Sequence, residues 1–151
     1  MTYRVLPIYN GAMKTHEWID HTSDVGLWVY GKDLQNLFKN AASAMFELVA
    51  KPLKNISQSH SRKMKVRLDT FDIEELLIRW LSELISLSDC KRLIFTKFEI
   101  QNLSDRHMSA LITGQSRKYF TIETEIKAVT YHELKIQKKD HHYCAQIIFD
   151  V

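Results

Sequence analysis

The stretch from Phe71 to Ile85 constrains this chain most. Ile73, Leu76, Leu77, Trp80, Leu81, Leu84 and Ile85 recur at three- and four-residue steps, the period of one face of an α-helix. Asp72 and Glu75 have the spacing of a capping box, in which side-chain oxygens take up the free N–H groups of a helix start. Phe71, just before the cap, is placed to staple against Leu76. A stripe this apolar has to be covered, and a buried packing face explains it better than a partner-binding groove. The rest of the chain must therefore supply the surface that covers it.

A second amphipathic helix precedes it. Asp33 reads as its N-cap, and Leu34, Leu37, Phe38, Ala41, Met45, Leu48 and Val49 share one face, with Pro52 beyond its end. Around the helices the period shortens to two. Residues 27–30, closed by Gly31, read as a strand. Lys63, Lys65 and Arg67 alternate with Met64, Val66 and Leu68, the pattern of a strand with one solvated face; that reading is preferred to a nucleic-acid patch. Residues 93–101 and 107–113 read as strands joined by a turn at Ser104-Asp105. Residues 131–138 and 142–150 read as a hairpin around Lys139-Asp140. In its last strand Tyr143, Ala145, Ile147, Phe149 and Val151 share one face, and Cys144, Gln146, Ile148 and Asp150 the other. The expected fold is α+β: a single domain with two amphipathic helices packed on a mainly antiparallel sheet. Residues 1–15, with Pro7, Asn10, Gly11 and no clear period, read as an N-terminal extension to a domain spanning 16–151.

A length of 151 residues suits one domain. The formal net charge of +3 says little about partners, because the basic residues are scattered along the chain. Direct RNA binding is disfavoured for that reason and for want of an RNA-binding fingerprint. The two cysteines, Cys90 and Cys144, are far apart, which argues against a disulfide framework or thiolate zinc. Cys144 lies in an apolar run and reads as a core residue. No apolar run approaches the ~20 residues of a membrane helix, and the start of the chain lacks a signal-peptide core, so a cytoplasmic protein without membrane attachment is expected.

Most enzyme templates fail. The chain has no glycine-rich phosphate loop, dinucleotide fingerprint, nucleophile elbow or helical His pair. His141-His142 falls in an expected turn, where exposure is the ordinary reading. Three polar segments remain: 21–26, 127–132 and 149–151. Each has a plain structural explanation: Asp24 as a turn cap, Lys127 as a solvated lysine, Asp150 as part of a frayed end. Against the last, the apolar alternation continues to Val151, so the end is expected to be packed. Asp24, Asp150 and the Val151 carboxylate are then three oxygen anions able to meet. Such a group needs a proton or a cation, and hard oxygen donors suit Ca²⁺ or Mg²⁺, with Mn²⁺ a further option, better than zinc.

At these same segments the sequence resembles the archease family. The family's opening motif is matched by His21-Thr22-Ser23-Asp24-Val25-Gly26, and its helix motif by Leu76 to Leu84. Lys127-Ala128-Val129-Thr130-Tyr131-His132 matches the central motif, and Asp150-Val151 the closing pair. Ser23 replaces a usual Ala, and Gln115 stands where many members carry Glu. The resemblance implies an activator of a GTP-dependent RNA-splicing ligase, promoting its guanylylation and multiple turnover in tRNA splicing and RNA repair. It implies a protein cofactor and not an enzyme. It also implies a metal site of Asp24, Asp150 and Val151, with Lys127 linked to activation and Glu83 and His21 as further activation residues. The alternative it carries is a chaperone-like modulator of a tRNA methyltransferase. A metal-dependent hydrolase built on His21, Asp24 and Asp150 is disfavoured, because no second acid–base pair accompanies them.

Overall fold

The computed structural model describes residues 8–9, 12–20, 24–54, 60–132 and 134–151. Both expected helices form from local signals. Asp33 caps α1 (Leu34–Val49) by accepting the Asn36 N–H at 2.8 Å. Asp72 caps α2 (Ile73–Lys91) by accepting the Glu75 N–H at 2.8 Å. Glu75 reaches back one residue further than expected, to the N–H of Phe71 at 3.0 Å. The expected staple is absent: Phe71 is 86% exposed, while Leu76 is fully buried. Leu76 is covered instead by the main core, so Phe71 adds nothing to its burial. Arg92, in the left-handed region at φ 54°, ends α2 and gives its N–H to Ser88 O.

The main sheet has the order β10 (Ala128–Thr130), β12 (His142–Asp150), β4 (Asp24–Gly31), β3 (His16–Asp20), with β11 (Ile136–Lys139) pairing the start of β12. A second sheet has β8 (His107–Ser116) between β6 (Arg62–Asp69) and β7 (Leu93–Leu103). Every pairing is antiparallel. Two short ribbons complete the described strands: β1 (Ile8–Tyr9) with β2 (Ala12–Met13), and β5 (Ala50–Pro52) with β9 (Phe120–Ile122).

One apolar cluster joins the inner faces of both sheets to both helices. It holds Leu27, Val29, Ala145, Ile147 and Phe149 from the main sheet and Val66, Leu68, Met108, Ala110 and Ile112 from the second. Trp80 is fully buried there; its indole N–H donates to Phe38 O at 3.0 Å and its ring meets Phe98 edge-on. That bond links α2 to α1 and satisfies the one polar atom a buried Trp carries. Gly31 lets β4 run directly under α1: a Cβ there would meet Leu37 N and lie 2.8 Å from Leu37 Cα.

The strand expectations hold in kind and shift in extent. The expected strand at 27–30 begins earlier, at Asp24, so Asp24 sits in a strand and not on a turn. The hairpin strand expected at 131–138 starts late, because Leu134 N–H bonds Tyr131 O in a turn at 3.1 Å. The turn at Ser104-Asp105 forms, with Ser104 N–H bonded to His107 O at 2.8 Å. Cys144 is 2% exposed, and burial pushes its thiol pKa up, as a packed core cysteine requires. Among the described residues no helix is long and apolar enough to cross a membrane.

Candidate functional site

The sheet register brings the ends of the chain's motifs together. β12 runs antiparallel to β4 from Tyr143 to its end, and the last pair of that ladder sets Asp150 directly opposite Asp24. On its other side Asp150 pairs with Ala128, and the Lys127 N–H donates to Asp150 O at 2.8 Å. The opening, central and closing motifs thus meet at one end of one sheet.

The same bond fixes the geometry of the acid pair. A strand residue turns its N–H and C=O to the same side, and Asp150 turns its carbonyl toward β10. Relative to β4 it therefore stands in a non-hydrogen-bonded pair, the kind in which Cα atoms approach to ~4.5 Å and side chains lie closest. Directly opposed side chains point to the same face of a sheet. Both carboxylates consequently project from the face that carries Gly26 and Ile148, opposite to the helices. Val151 packs its side chain on the main core, which holds this end of β12 in place. Both aspartates are half-buried, and like charges so placed destabilise a ladder unless something relieves them.

The structure treats the remaining expected residues unequally. Lys127 is exposed and is tied to the site by its main chain. Glu83 is half-buried on α2, the helix that packs on β10. His21 lies outside the described residues. Gln115 is in the second sheet, paired with Ile94, and so belongs to a different sheet from Asp24 and Asp150. Among the described residues, no three His, Cys, Asp or Glu side chains gather as a metal-ligand group. The Asp24–Asp150 pair fits a hard divalent cation by charge and donor type, but its two carboxylates supply at most four of the six or more oxygens such ions take.

One neighbour was not foreseen from sequence. Trp18 on β3 is 38% exposed, and its ring lies 6.3 Å from that of Phe149, the residue before Asp150. The alternation in β3 is only five residues long, too short to mark a strand by itself.

Comparison with known proteins gives the family and the fold. Residues 16–151 match the model of the archease protein family. Protein archease of Methanosarcina barkeri is 38% identical over 144 residues, which cover 91% of this chain and 97% of the relative. That of Sulfurisphaera tokodaii is 31% identical over 144 residues, covering 92% and 100%. Among solved structures, the solution structure of Methanobacterium thermoautotrophicum protein 1598 superposes with a TM-score of 0.64 at 30% identity, covering 91% of this chain and 99% of that one. The crystal structure of an archease from Thermotoga maritima, described as a possible chaperone, gives a TM-score of 0.63 at 20% identity, covers 88% and 94%, and shows the shared fold. The family match spans all four motifs, the three meeting at the tip of the main sheet and the one on α2; the chain belongs to the archease family.

Proposed function

We propose that this protein is an activator of a GTP-dependent RNA-splicing ligase, acting in tRNA splicing and RNA repair as a protein cofactor with no chemistry of its own. The observation that carries the reading is the facing pair Asp24–Asp150 at the tip of the main sheet, with Lys127 bonded alongside. The pair, with the main-chain oxygens of Val151 as the family resemblance implies, would hold a divalent cation, Ca²⁺ or Mg²⁺ or in their place Mn²⁺. Such an ion supplies positive charge that orients phosphate oxygens. These donors leave part of its coordination open, which suits a site completed by a partner and its nucleotide better than a self-contained catalytic centre. Asp24 and Asp150 bind and orient. Lys127 contributes a cation beside them, and Glu83 and His21 are assigned as further residues of the activating surface. Contacts made only to the guanylylation-competent form of the ligase would raise its population by their differential binding energy.

The test is a ligase turnover assay with and without this protein, repeated with Asp24→Asn and Asp150→Asn. Stimulation by the parent and its loss in both variants, with their folds intact, is the expected result. No stimulation by the parent would sink the reading. A second reading, a chaperone-like modulator of a tRNA methyltransferase, draws on the description of the Thermotoga maritima protein as a possible chaperone. Pull-down with each purified enzyme separates the two.

A further inference from the structure

Four of the 21 basic residues, spread over two segments of the sequence, share one face of the second sheet. On β6, Met64, Val66 and Leu68 turn toward the core, and Lys63, Lys65 and Arg67 stand exposed on the opposite face. Two strand residues span ~6.6–6.8 Å, so these cations form an evenly spaced ladder. The central strand, β8, presents only neutral residues beside them: Thr113 opposite Lys63, Leu111 opposite Lys65, Ser109 opposite Arg67. Across β8, Lys97 of β7 also pairs with Thr113, so two lysines flank one threonine. The acids beside these residues are Glu99, in register with Leu111, Asp69 at the far end, which bonds His107 at 2.8 Å, and Glu47 of α1, which lines the same cleft as Lys97 and Thr113. Among the described residues, no ion pair engages any of the four cations.

An aromatic pair stands where the ladder begins. His60, two residues before β6, is exposed and stacks on Tyr119 with ring centroids 5.9 Å apart and planes 17° from parallel. Tyr119 closes the 3₁₀ turn Arg117–Tyr119, which continues directly from β8. Lys118 Nζ lies 5.1 Å from the Tyr119 ring centroid. Charged edge strands do guard a sheet against pairing with another chain. Mixed signs would guard it equally well without the mutual repulsion of a one-sign ladder, and edge protection gives no role to the aromatic pair.

We propose that this open face binds a single-stranded polynucleotide, with phosphates along Lys63, Lys65, Arg67 and Lys97 and an unstacked base against His60 and Tyr119. Cations that track a backbone, joined to an aromatic platform, are what such a strand requires. The aromatic pair favours a single strand over a duplex, whose bases are already stacked, and over an acidic peptide, which has no base to stack. The proposal concerns a different sheet from the Asp24–Asp150 tip and stands independently of the ligase reading.

The experiment measures binding of the full chain to a fluorescein-labelled oligouridylate RNA by anisotropy, across a range of salt. Each phosphate contact contributes about −0.7 to the slope of log K against log salt for a single strand, so the triple variant Lys63→Gln/Lys65→Gln/Arg67→Gln should have a slope shallower by about 2. Its affinity at low salt should fall by tenfold or more. Tyr119→Leu should weaken binding while leaving the slope unchanged. A control triple of equal charge loss elsewhere, Lys32→Gln/Arg79→Gln/Lys135→Gln, should bind as the parent does. Thermal melting confirms that each variant is folded. The proposal is overturned if the ladder triple keeps the parent's slope, if the control triple loses as much, or if poly-glutamate displaces the ladder-bound RNA as effectively as unlabelled oligouridylate.

Discussion

Substituting Asn for Asp150 removes one charge of the facing pair and keeps the size of the side chain. With the two carboxylates ~5 Å apart, the repulsion is about 0.8 kcal/mol at a water-like dielectric and about 3 kcal/mol at the effective value near a protein surface. Both groups are half-buried at a sheet end, where water and salt screen them, so the lower part of that range applies. It agrees with the ~0.2–1 kcal/mol scale of directly opposed strand pairs. In EDTA and low salt, Asp150→Asn should therefore be more stable than the parent by about 1 kcal/mol, or roughly 2–4 °C in Tm for a domain of this size. A divalent cation should reverse the order. At a hundred times its dissociation constant a bound ion stabilises the parent by about 2.7 kcal/mol, and the variant, with half the side-chain donors gone, gains much less. The assay is thermal unfolding by circular dichroism of parent, Asp150→Asn and Asp24→Asn, each in EDTA, Ca²⁺ and Mg²⁺. If Asp150→Asn melts below the parent in EDTA, or if neither cation moves the parent, the pair is not a cation clamp and the reasoning fails.

Four further outcomes follow from the fold. Trp80→Ala should cost ~3–5 kcal/mol in urea unfolding, because it empties a fully buried site and removes the indole bond to Phe38 O. Gly31→Ala should lower stability by ~1–3 kcal/mol in the same measurement, since its Cβ meets the backbone of α1, with Asn36 C at 2.9 Å. Asp33→Ala should cost about 1 kcal/mol near neutral pH through loss of the α1 cap. Hydrogen bonds from the Asn36 backbone and side chain hold the Asp33 pKa below its ordinary value, so this stabilisation is present above the unfolded-state pKa and is lost as pH falls through the folded one; the gap between parent and Asp33→Ala in a pH series of melting curves should close below about pH 4. In native protein a thiol reagent should label exposed Cys90 promptly and buried Cys144 only on unfolding, read out by mass spectrometry.

Local features were readable in the sequence because their causes are local. The caps at Asp33 and Asp72, the stripe around Trp80 and the alternation of β12 each depend on residues within a few turns or strand positions. The Phe71 staple failed because whether an exposed aromatic folds back is decided by what else covers its intended partner, and Leu76 is already covered by the core. The short strands β3, β5, β9 and β10 escaped detection for a related reason. Three to five residues carry too little period, and such strands exist only because a longer neighbour offers its edge.

For the candidate site, the sequence by itself supplied the residue types: acidic, basic and aromatic residues in motifs that single out Asp24, Lys127 and Asp150. Their meeting was decided only by the tertiary structure. The ladder between β4 and β12 spans more than a hundred residues of chain, and its register sets Asp150 against Asp24. A slip of one residue would leave Asp24 and Asp150 on opposite faces, and the alternation within either strand does not by itself say which residue it will meet. Burial favours it, because this register puts Leu27, Val29, Ala145, Ile147 and Phe149 together in the core. The same holds for the basic face of the second sheet. Lys63 and Lys97 lie far apart in sequence, and they flank Thr113 because the apolar side of three strands had to be covered by the helices, leaving their charges together in water.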